Sequence, residues 1–456
     1  MGRMKAAPAD VRHPLRDKLY LTFVAGWYST NDPTARSRCC HLGCNYTSNI
    51  IANLVGGTFW SGLLLLLNAD DSFIGTASMI GTAANMLQLF APLILERFPR
   101  RRTMLTVLRA IMYLINILLI GLIPLFPLTQ QGKLTMLAIS ILVVNLIAAF
   151  IGPGLNIWHI QSIPDRVRKN YFSLITMTTS FVVALFNLLG SRVVDWLKNY
   201  GMEYGGLLAL RIFALALATI EIILYFHIDE HPYEKADSPF TLKDVFVLPL
   251  RSKSYLLNVA CIMLWNFAVA IPGSYHSIYM LRDVGVSYSY VMAVSLCCTV
   301  VSFLVAPLWK KLLSRMSWFK LIGLCIPFYL VSYVGFAFTA KSTVYIYAIA
   351  SLIGSVCGVG VSLGFSGIPY YKIPPQHSTI YIAFYSTMAS CASLLGVTLG
   401  KYFMLGTEGH KINVLGMTMV NNQYLLLLSS AMLVVAAIGA NVIARIRARE
   451  AVEEES

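Results

Sequence analysis

Runs of about twenty apolar residues recur from residue 49 to residue 444, and this recurrence constrains the fold more than any other feature. One helical crossing of roughly 30 Å of hydrocarbon takes about 20 apolar residues. Runs of that kind lie at 49–68, 72–95, 104–126, 134–157, 171–194, 206–227, 255–280, 288–309, 318–338, 343–369, 379–403 and 423–444. In lipid the backbone has to satisfy its own N–H and C=O groups, so only helices and closed barrels span. A barrel alternates apolar and polar residues over about ten positions, and these runs do not. The expected fold class is all-α, a polytopic membrane protein of twelve transmembrane helices. Only 12% of the 456 residues are charged, against about 25% in soluble domains, so no room remains for a soluble domain.

A net charge of +14 raises the question of a nucleic-acid partner. The answer is negative, because the positive charge sits in short loops between apolar runs. With the N-terminus inside, and with Lys320 and Lys401 at span ends counted with the adjoining inner and outer segments, the inner segments hold 26 of the 35 Lys and Arg residues and the outer loops hold 6. The remaining three, Arg109, Arg192 and Arg211, fall within spans. Cytoplasmic segments carry the excess of Lys and Arg, so both termini are expected in the cytoplasm, with the chain in the plasma (inner) membrane. No cleavable signal peptide is visible. Leu19–Tyr28, preceded by Arg16 and Lys18, is too short to span and reads as an interfacial amphipathic stretch.

The division expected from these features is a cytoplasmic N-terminal segment over 1–48, a first six-helix half over 49–228, a central cytoplasmic loop over 229–254, a second six-helix half over 255–445 and a charged tail over 446–456. The halves are related by an internal repeat. Ala91-Pro92-Leu93 matches Ala306-Pro307-Leu308 at an offset of 215, and Gly57 matches Pro272 at the same offset. Ile163-Pro164 matches Ile373-Pro374, and Tyr171 matches Tyr381, both at 210. The order and offsets agree, so the expected architecture is two six-helix pseudo-repeats.

Two loops carry a family resemblance. The segment Glu96-Arg97-Phe98-Pro99-Arg100-Arg101-Arg102 after span 2 is similar to the G-x-x-x-D-R-x-G-R-[RK] loop of the major facilitator superfamily. Pro92, Glu96 and Pro99 replace its Gly, Asp and second Gly, while Arg97, Arg100 and Arg101 match. The segment from Ile163 to Ser173 resembles the corresponding loop after span 4. The stretches Trp158-His159-Ile160-Gln161 and Ser317-Trp318-Phe319-Lys320 resemble a bacterial branch of unassigned substrate. The resemblance covers roughly residues 45–445 and implies transport by alternating access between two halves. It also implies that Glu96, Arg97, Arg100 and Arg101 form a charge network closing the inner side. The sugar-porter P-E-S-P-R motif and the Gly-Pro pattern of drug antiporters are missing.

Polar residues at mid-depth mark candidate sites, because a polar side chain in hydrocarbon takes a partner or faces water. Asn85, Asn116, Asn145, Asn187 and Asn266 lie near span centres. Interhelical hydrogen bonding accounts for any one of them. Spans 4 and 7 line the cavity in the resembled family, which makes Asn145, Trp265 and Asn266 the candidate substrate-binding residues, with Tyr275 and Tyr385 at its aromatic edge. Gly152-Pro153 in span 4 and Pro272-Gly273 in span 7 are candidate bending points; close packing of small residues is the alternative. Glu221 is the one acidic residue deep within any of the twelve runs. It is either a proton-coupling carboxyl or a carboxyl bonded to a neighbouring helix. Arg211 is ten residues away on the same helix, about 15 Å by helical rise, too far to pair.

Enzyme motifs are missing, and Gly364-Phe365-Ser366-Gly367 is one residue short of a nucleophile elbow. Cys39, Cys40, His41 and Cys44 match no common zinc spacing and read as a turn before span 1 with reduced thiols. No cofactor or metal is expected. The expected partners are a small organic solute, a proton or other coupling ion, and the bilayer, with the chain a monomer. A polar, uncharged cavity suits a neutral or weakly polar solute. A lipid-handling translocase on the same scaffold and a non-transporting membrane sensor are the rivals.

The topology is testable in intact cells. Cysteines placed at Asp70 and Asn413 should react with impermeant thiol reagents, and cysteines placed at Arg101 and Ser238 should not. Labelling at Arg101 from outside reverses the orientation.

Overall fold

The computed structural model describes residues 35–91, 95, 98, 100–163, 165–230, 242–373, 378–410, 412–414 and 417–455. Leu19–Tyr28, Pro92, Glu96, Arg97, Pro99 and Pro164 lie outside the described residues. The described chain is helical apart from one short antiparallel hairpin, Ile412–Val414 with Met417–Met419. In chain order the helices are α1 (Ala35–Val55), α2 (Gly57–Leu66), α3 (Asp71–Met86), α4 (Arg102–Tyr113), α5 (Gln130–Gln161), α6 (Asp165–Asn199), α7 (Glu203–Phe226), α8 (Leu242–Arg251), α9 (Lys253–Ala270), α10 (Tyr275–Ile278), α11 (Tyr288–Leu313), α12 (Trp318–Ala337), α13 (Val344–Gly367), α14 (Ser378–Gly406) and α15 (Asn421–Glu455). Among the described residues, eleven helical segments are long and apolar enough to cross a membrane.

Polar caps start several of these helices where the chain enters the apolar run. Asp70, Thr129, Ser252, Ser287 and Ser317 each accept a backbone N–H in the first turn of α3, α5, α9, α11 and α12, which satisfies donors that the helix itself leaves free. The outward faces carry exposed large apolar side chains such as Ile139, Ile212, Leu304, Phe328 and Ile438, as a hydrocarbon surround requires.

Three features depart from the sequence expectation. The first membrane-length segment runs from Arg36 to Leu66, starting well before residue 49. The Cys39–Cys44 stretch is therefore helix and not a turn. Its small residues pack inward, and His41 bonds the Ser162 hydroxyl at 3.0 Å and stacks on His159. Second, α3 is 16 residues long and tightens into a 3-10 segment, Leu87–Phe90, within the expected run 72–95, of which residues 92–94 lie outside the described residues. Third, α5 runs unbroken through Pro153. At Gly154 an added Cβ would lie 3.0 Å from Leu105 and 3.2 Å from Leu95, so this glycine serves close packing.

The chain does break at two other glycines. Gly57 (φ +52°) separates α1 from α2, and Gly273 (φ +46°) lies between α9 and α10. Positive φ is open to glycine at little cost, so each membrane segment changes direction there.

Helix packing divides the molecule into two bundles. In the first, α1 packs on α6 and α7, α4 on α5 and α7, α3 on α5, and α6 on α7. In the second, α9 packs on α14 and α15, α12 on α13 and α15, α11 on α13, and α14 on α15. Across the divide, α3 meets α14, α6 meets α11 and α2 meets α10. Each bundle has its own apolar cluster, one around Ile117, Val144, Ile151 and Ala214, the other around Tyr255, Ile262, Ile322 and Leu433. A further cluster is shared, drawing Phe59, Leu63 and Ile74 together with Ile271, Ile278, Tyr288 and Met404.

The α14–α9 contact rests on a Gly396-x-x-x-Gly400 pair. A Cβ at Gly396 would fall 2.4 Å from the Phe267 carbonyl oxygen, and at Gly400 2.1 Å from that of Ile271. Small residues let helix backbones approach in this way. Gly400→Ala should destabilise the protein by ~1–3 kcal/mol through overpacking, seen as a lowered melting temperature in detergent. Gly406→Ala, with open space at its Cβ, should be neutral within ~0.5 kcal/mol; equal effects would remove the packing role.

Candidate functional site

Among the described residues, the hydrogen bonds that join the two bundles gather at one end. Asp71, at the start of α3, pairs with Arg282 at 3.1 Å, and its backbone carbonyl accepts the Tyr275 hydroxyl at 2.6 Å. Lys401 of α14 donates to Thr76 at 2.8 Å, and the Ser78 and Ser274 hydroxyls are 2.9 Å apart. On the other side of the same end, Asp195 of α6 accepts the backbone N–H groups of Tyr288 and Ser289 at 3.1 and 2.7 Å. Those donors are the free N–H groups at the N-terminus of α11, where a carboxylate meets the positive end of the helix dipole. The Tyr288 hydroxyl donates to Glu203 at 2.9 Å. The shared apolar cluster lies beneath these bonds, with Phe59 stacked on Tyr288 at 5.8 Å.

At the opposite end each bundle is tied to itself. In the first, Glu230 accepts the backbone N–H groups of Arg101 and Arg102, and the Asp229 carbonyl accepts Trp158 Nε1 at 2.9 Å. In the second, buried Arg447 donates to Asn258 at 2.7 Å and to Glu450 at 2.7 Å, beside Phe319 and Tyr371. Tyr255 bonds the Tyr381 carbonyl at 2.8 Å. Among the described residues, the hydrogen bonds between the bundles thus lie at one end and each bundle is braced within itself at the other, with Leu89 of the 3-10 segment packed against the second cluster.

The sequence-derived residues fall into three groups. Asn145 donates to the Ile141 carbonyl of its own helix at 2.8 Å and lies against Gly81 of α3. Asn266 donates to Ile262 at 3.0 Å and accepts from Ser393 of α14 at 3.4 Å. Trp265 packs edge-on against Tyr329 at 5.0 Å and also meets Phe365 at 6.0 Å. Tyr385 is buried, and its hydroxyl has no hydrogen-bond partner among the described residues. Tyr275 and Gly273 belong to the contact between bundles: Tyr275 bonds Asp71, and a Cβ at Gly273 would sit 3.8 Å from the Ser78 hydroxyl; Pro272 is buried beside them, its carbonyl accepting the Tyr275 N–H at 2.9 Å. Gly152 faces Gln88 of the 3-10 segment after α3, and Pro153 is built into α5. Arg100 is exposed, and Arg101 is buried and tied to Glu230 within the first bundle.

Glu221 is fully buried and has a partner the sequence reading missed. Arg109 of α4 reaches it at 3.2 Å through Nε and Nη2. The Tyr113 hydroxyl, one turn along α4, donates at 2.6 Å, and Thr47 of α1 donates at 3.3 Å. Arg109 also donates to Ser48 at 2.5 Å and lies over the Tyr113 ring at 4.6 Å. Arg211 points elsewhere, donating to the Asn116 carbonyl at 2.6 Å. The signal was present: one buried acid and one buried arginine with a tyrosine four residues on, all at span depth. Only the pairing of helices was needed to connect them.

Beside this pair lies a cavity of about 160 Å³, lined by His41, Asn45, Ser48, Arg109, Asn156 and His159 among others. Its walls come from α1, α4, α5 and α7, all within the first bundle.

Removing one partner of a buried ion pair strands the other, at a cost of about 3–5 kcal/mol. Arg109→Ala should lower the unfolding midpoint accordingly, and Glu221→Gln on that background should recover most of the loss. An additive double mutant would mean that the two side chains are not coupled.

The sequence model of the Major Facilitator Superfamily matches residues 44–397. No curated protein matches the chain. Similar solved structures include a mutant of the nucleoside transporter NupG, at 13% identity and a TM-score of 0.68, covering 89% of this chain and 99% of that one. A bacterial homologue of the human lysosomal transporter Spinster, inward-facing and unoccupied, is 15% identical with a TM-score of 0.63, covering 91% and 98%. The xylose transporter XylE from E. coli, partially occluded and inward open, is 11% identical with a TM-score of 0.60, covering 89% and 96%. A fold shared across whole chains, and a family match over most of this one, agree with two helix bundles joined by hydrogen bonds at one end. The chain belongs to the major facilitator superfamily and is a multi-pass membrane transporter of a solute.

Proposed function

We propose that the protein carries a small polar organic solute by rocking two six-helix halves, and that the structure is its inward-open state. The observation that carries this reading is the asymmetry of the contacts: among the described residues, the hydrogen bonds between the bundles lie at one end, over a shared apolar cluster. On the orientation expected from Lys and Arg, that end is the outer one and both termini are cytoplasmic.

The twelve-helix, two-repeat architecture is supported by the matching of packing pairs. Each pair in the first bundle has its counterpart in the second, as α1–α7 does in α9–α15 and α4–α5 in α12–α13. In this reading α3 with its 3-10 continuation is the twelfth crossing. The two positive-φ breaks, Gly57 and Gly273, then fall at equivalent places in the first helix of each half, and the segments beyond them form the outer seal. Asn145, Trp265 and Asn266 face the solute, with Tyr385 behind them. Tyr275, Pro272 and Gly273 take part in closing the outer side, while Gly152 and Pro153 accompany the movement of α5. Arg100 and Arg101 belong with Glu96 and Arg97 to the loop that closes the inner side when the outer opens. Proton coupling is a property of one structural neighbour, a D-xylose-proton symporter, and Glu221 is the candidate for that role here.

The outer seal gives a direct test. Ser78→Cys with Ser274→Cys should form a disulfide on oxidation, since the two hydroxyls are 2.9 Å apart. Uptake of solutes from a cell-extract mixture into proteoliposomes, read by mass spectrometry, should stop on oxidation and resume on reduction. Uptake that continues with the disulfide formed, or no uptake by the unmodified protein, overturns the reading.

A further inference from the structure

Resting on the transporter reading above, we propose that the cavity beside Arg109 is a subsite for a small monocarboxylate, whose binding shares the Arg109 guanidinium with Glu221 and places one proton on Glu221. The cavity is a cleft of about 160 Å³ open on one side, well above the ~10–15 Å³ that admits one water. That leaves room for a small carboxylate against Arg109.

Its walls present donors. Nε and Nη2 of Arg109 are engaged by Glu221 and Ser48, whereas no hydrogen bond engages Nη1 among the described residues. Asn45 uses its side-chain oxygen to accept from Thr179 at 2.8 Å and from Asn49 at 3.4 Å, which leaves its N–H groups for the cavity. Asn156 lines the exposed rim. A guanidinium with amide donors around it is the chemistry that recognises a carboxylate.

The charge balance supplies the coupling. Arg109 and Glu221 together are neutral. The other titratable groups facing them are Tyr113 from α4, Cys44 from α1 and Tyr225 from α7, with His41 and His159 across the cavity. A bound carboxylate would put two anions on one guanidinium in a medium of low dielectric, where like charges cannot both persist. Glu221 is the one sealed from water, and the Tyr113 and Thr47 hydroxyls beside it can turn to accept as readily as they donate. The proton comes from solution, Glu221 passes from carboxylate to carboxylic acid, and no bond in the solute changes. One anion and one proton therefore enter together with no net charge.

The test is titration calorimetry on the full chain in detergent, in two buffers of different ionisation enthalpy, with lactate, lactamide and inorganic phosphate as probes. Lactate should bind with uptake of one proton, and lactamide, nearly isosteric but neutral, about tenfold or more weakly. Arg109→Lys should weaken lactate to a similar degree. Glu221→Gln should bind lactate without proton uptake. Should Arg109→Lys fail to fold, Asn156→Leu leaves the ion pair intact and fills the rim, and it should abolish lactate binding. The proposal is overturned by any of four results: no lactate binding, lactamide or phosphate binding as tightly as lactate, wild-type binding without a proton, or full affinity in Asn156→Leu. None of these bears on the Ser78–Ser274 cross-link, which uses no carboxylate, so failure here is distinguishable from failure of the transport reading.

Discussion

Hydrocarbon offers no hydrogen bonds, so each polar group held in it depends on another group of the protein. The backbone meets this requirement by staying helical through nearly every apolar run. The helices are interrupted at Gly273, beside Ser78 of the other bundle, and at Gly57, where there is open space at the Cβ position. Side chains follow the same rule. Arg211 is spent on the Asn116 carbonyl, Asn258 on the Ile368 and Tyr371 carbonyls, and Ser429 on the Ala268 carbonyl. Glu221, the most costly of them, draws an arginine, a tyrosine and a threonine from two other helices.

The same requirement divides the work between the two ends. Where the bundles meet, charged and hydroxyl groups form a rim over an apolar seal, and the bonds are individually modest. Asp195 on the α11 N-terminus and Asp71 on Arg282 are surface-type interactions that water can replace, so the seal can open without leaving a buried charge unpaired. The deep groups behave otherwise. The Arg109–Glu221 pair and the Arg447 cluster each lie within a single bundle and would move with it as a rigid body. A transporter built this way places between the bundles the contacts that break as it rocks, and inside each bundle those that travel with it.

Small residues serve both ends of that division, and only their surroundings distinguish the uses. Gly360, Gly364 and Gly367 of α13 lie against Cys325, Ile322 and Trp318 of its neighbour α12, so this glycine-rich stretch is a packing face. Gly154 does the same between α5 and α4. Gly57 and Gly273 adopt backbone angles that a larger residue resists, and they are the places where the chain turns. Glycine spacing alone does not separate these roles, because packing and bending ask for the same missing side chain.

The amino-acid sequence by itself determined the helical class, the approximate spans, the family and the presence of one buried acid among apolar neighbours. These follow from the length of apolar runs and from loop motifs, both local along the chain. Hydropathy does not register the 3-10 tightening at Leu87–Phe90 within the second span, and the first span began early because Cys, Gly and His pack inside a bundle without looking apolar. Tyr275 and Asn145 look alike as polar groups in spans, yet one joins the bundles and the other bonds its own helix. The partner of Glu221 was decided by tertiary structure alone. Arg109 lies more than a hundred residues away on another helix, and which faces of two helices meet is set by packing that no local pattern encodes.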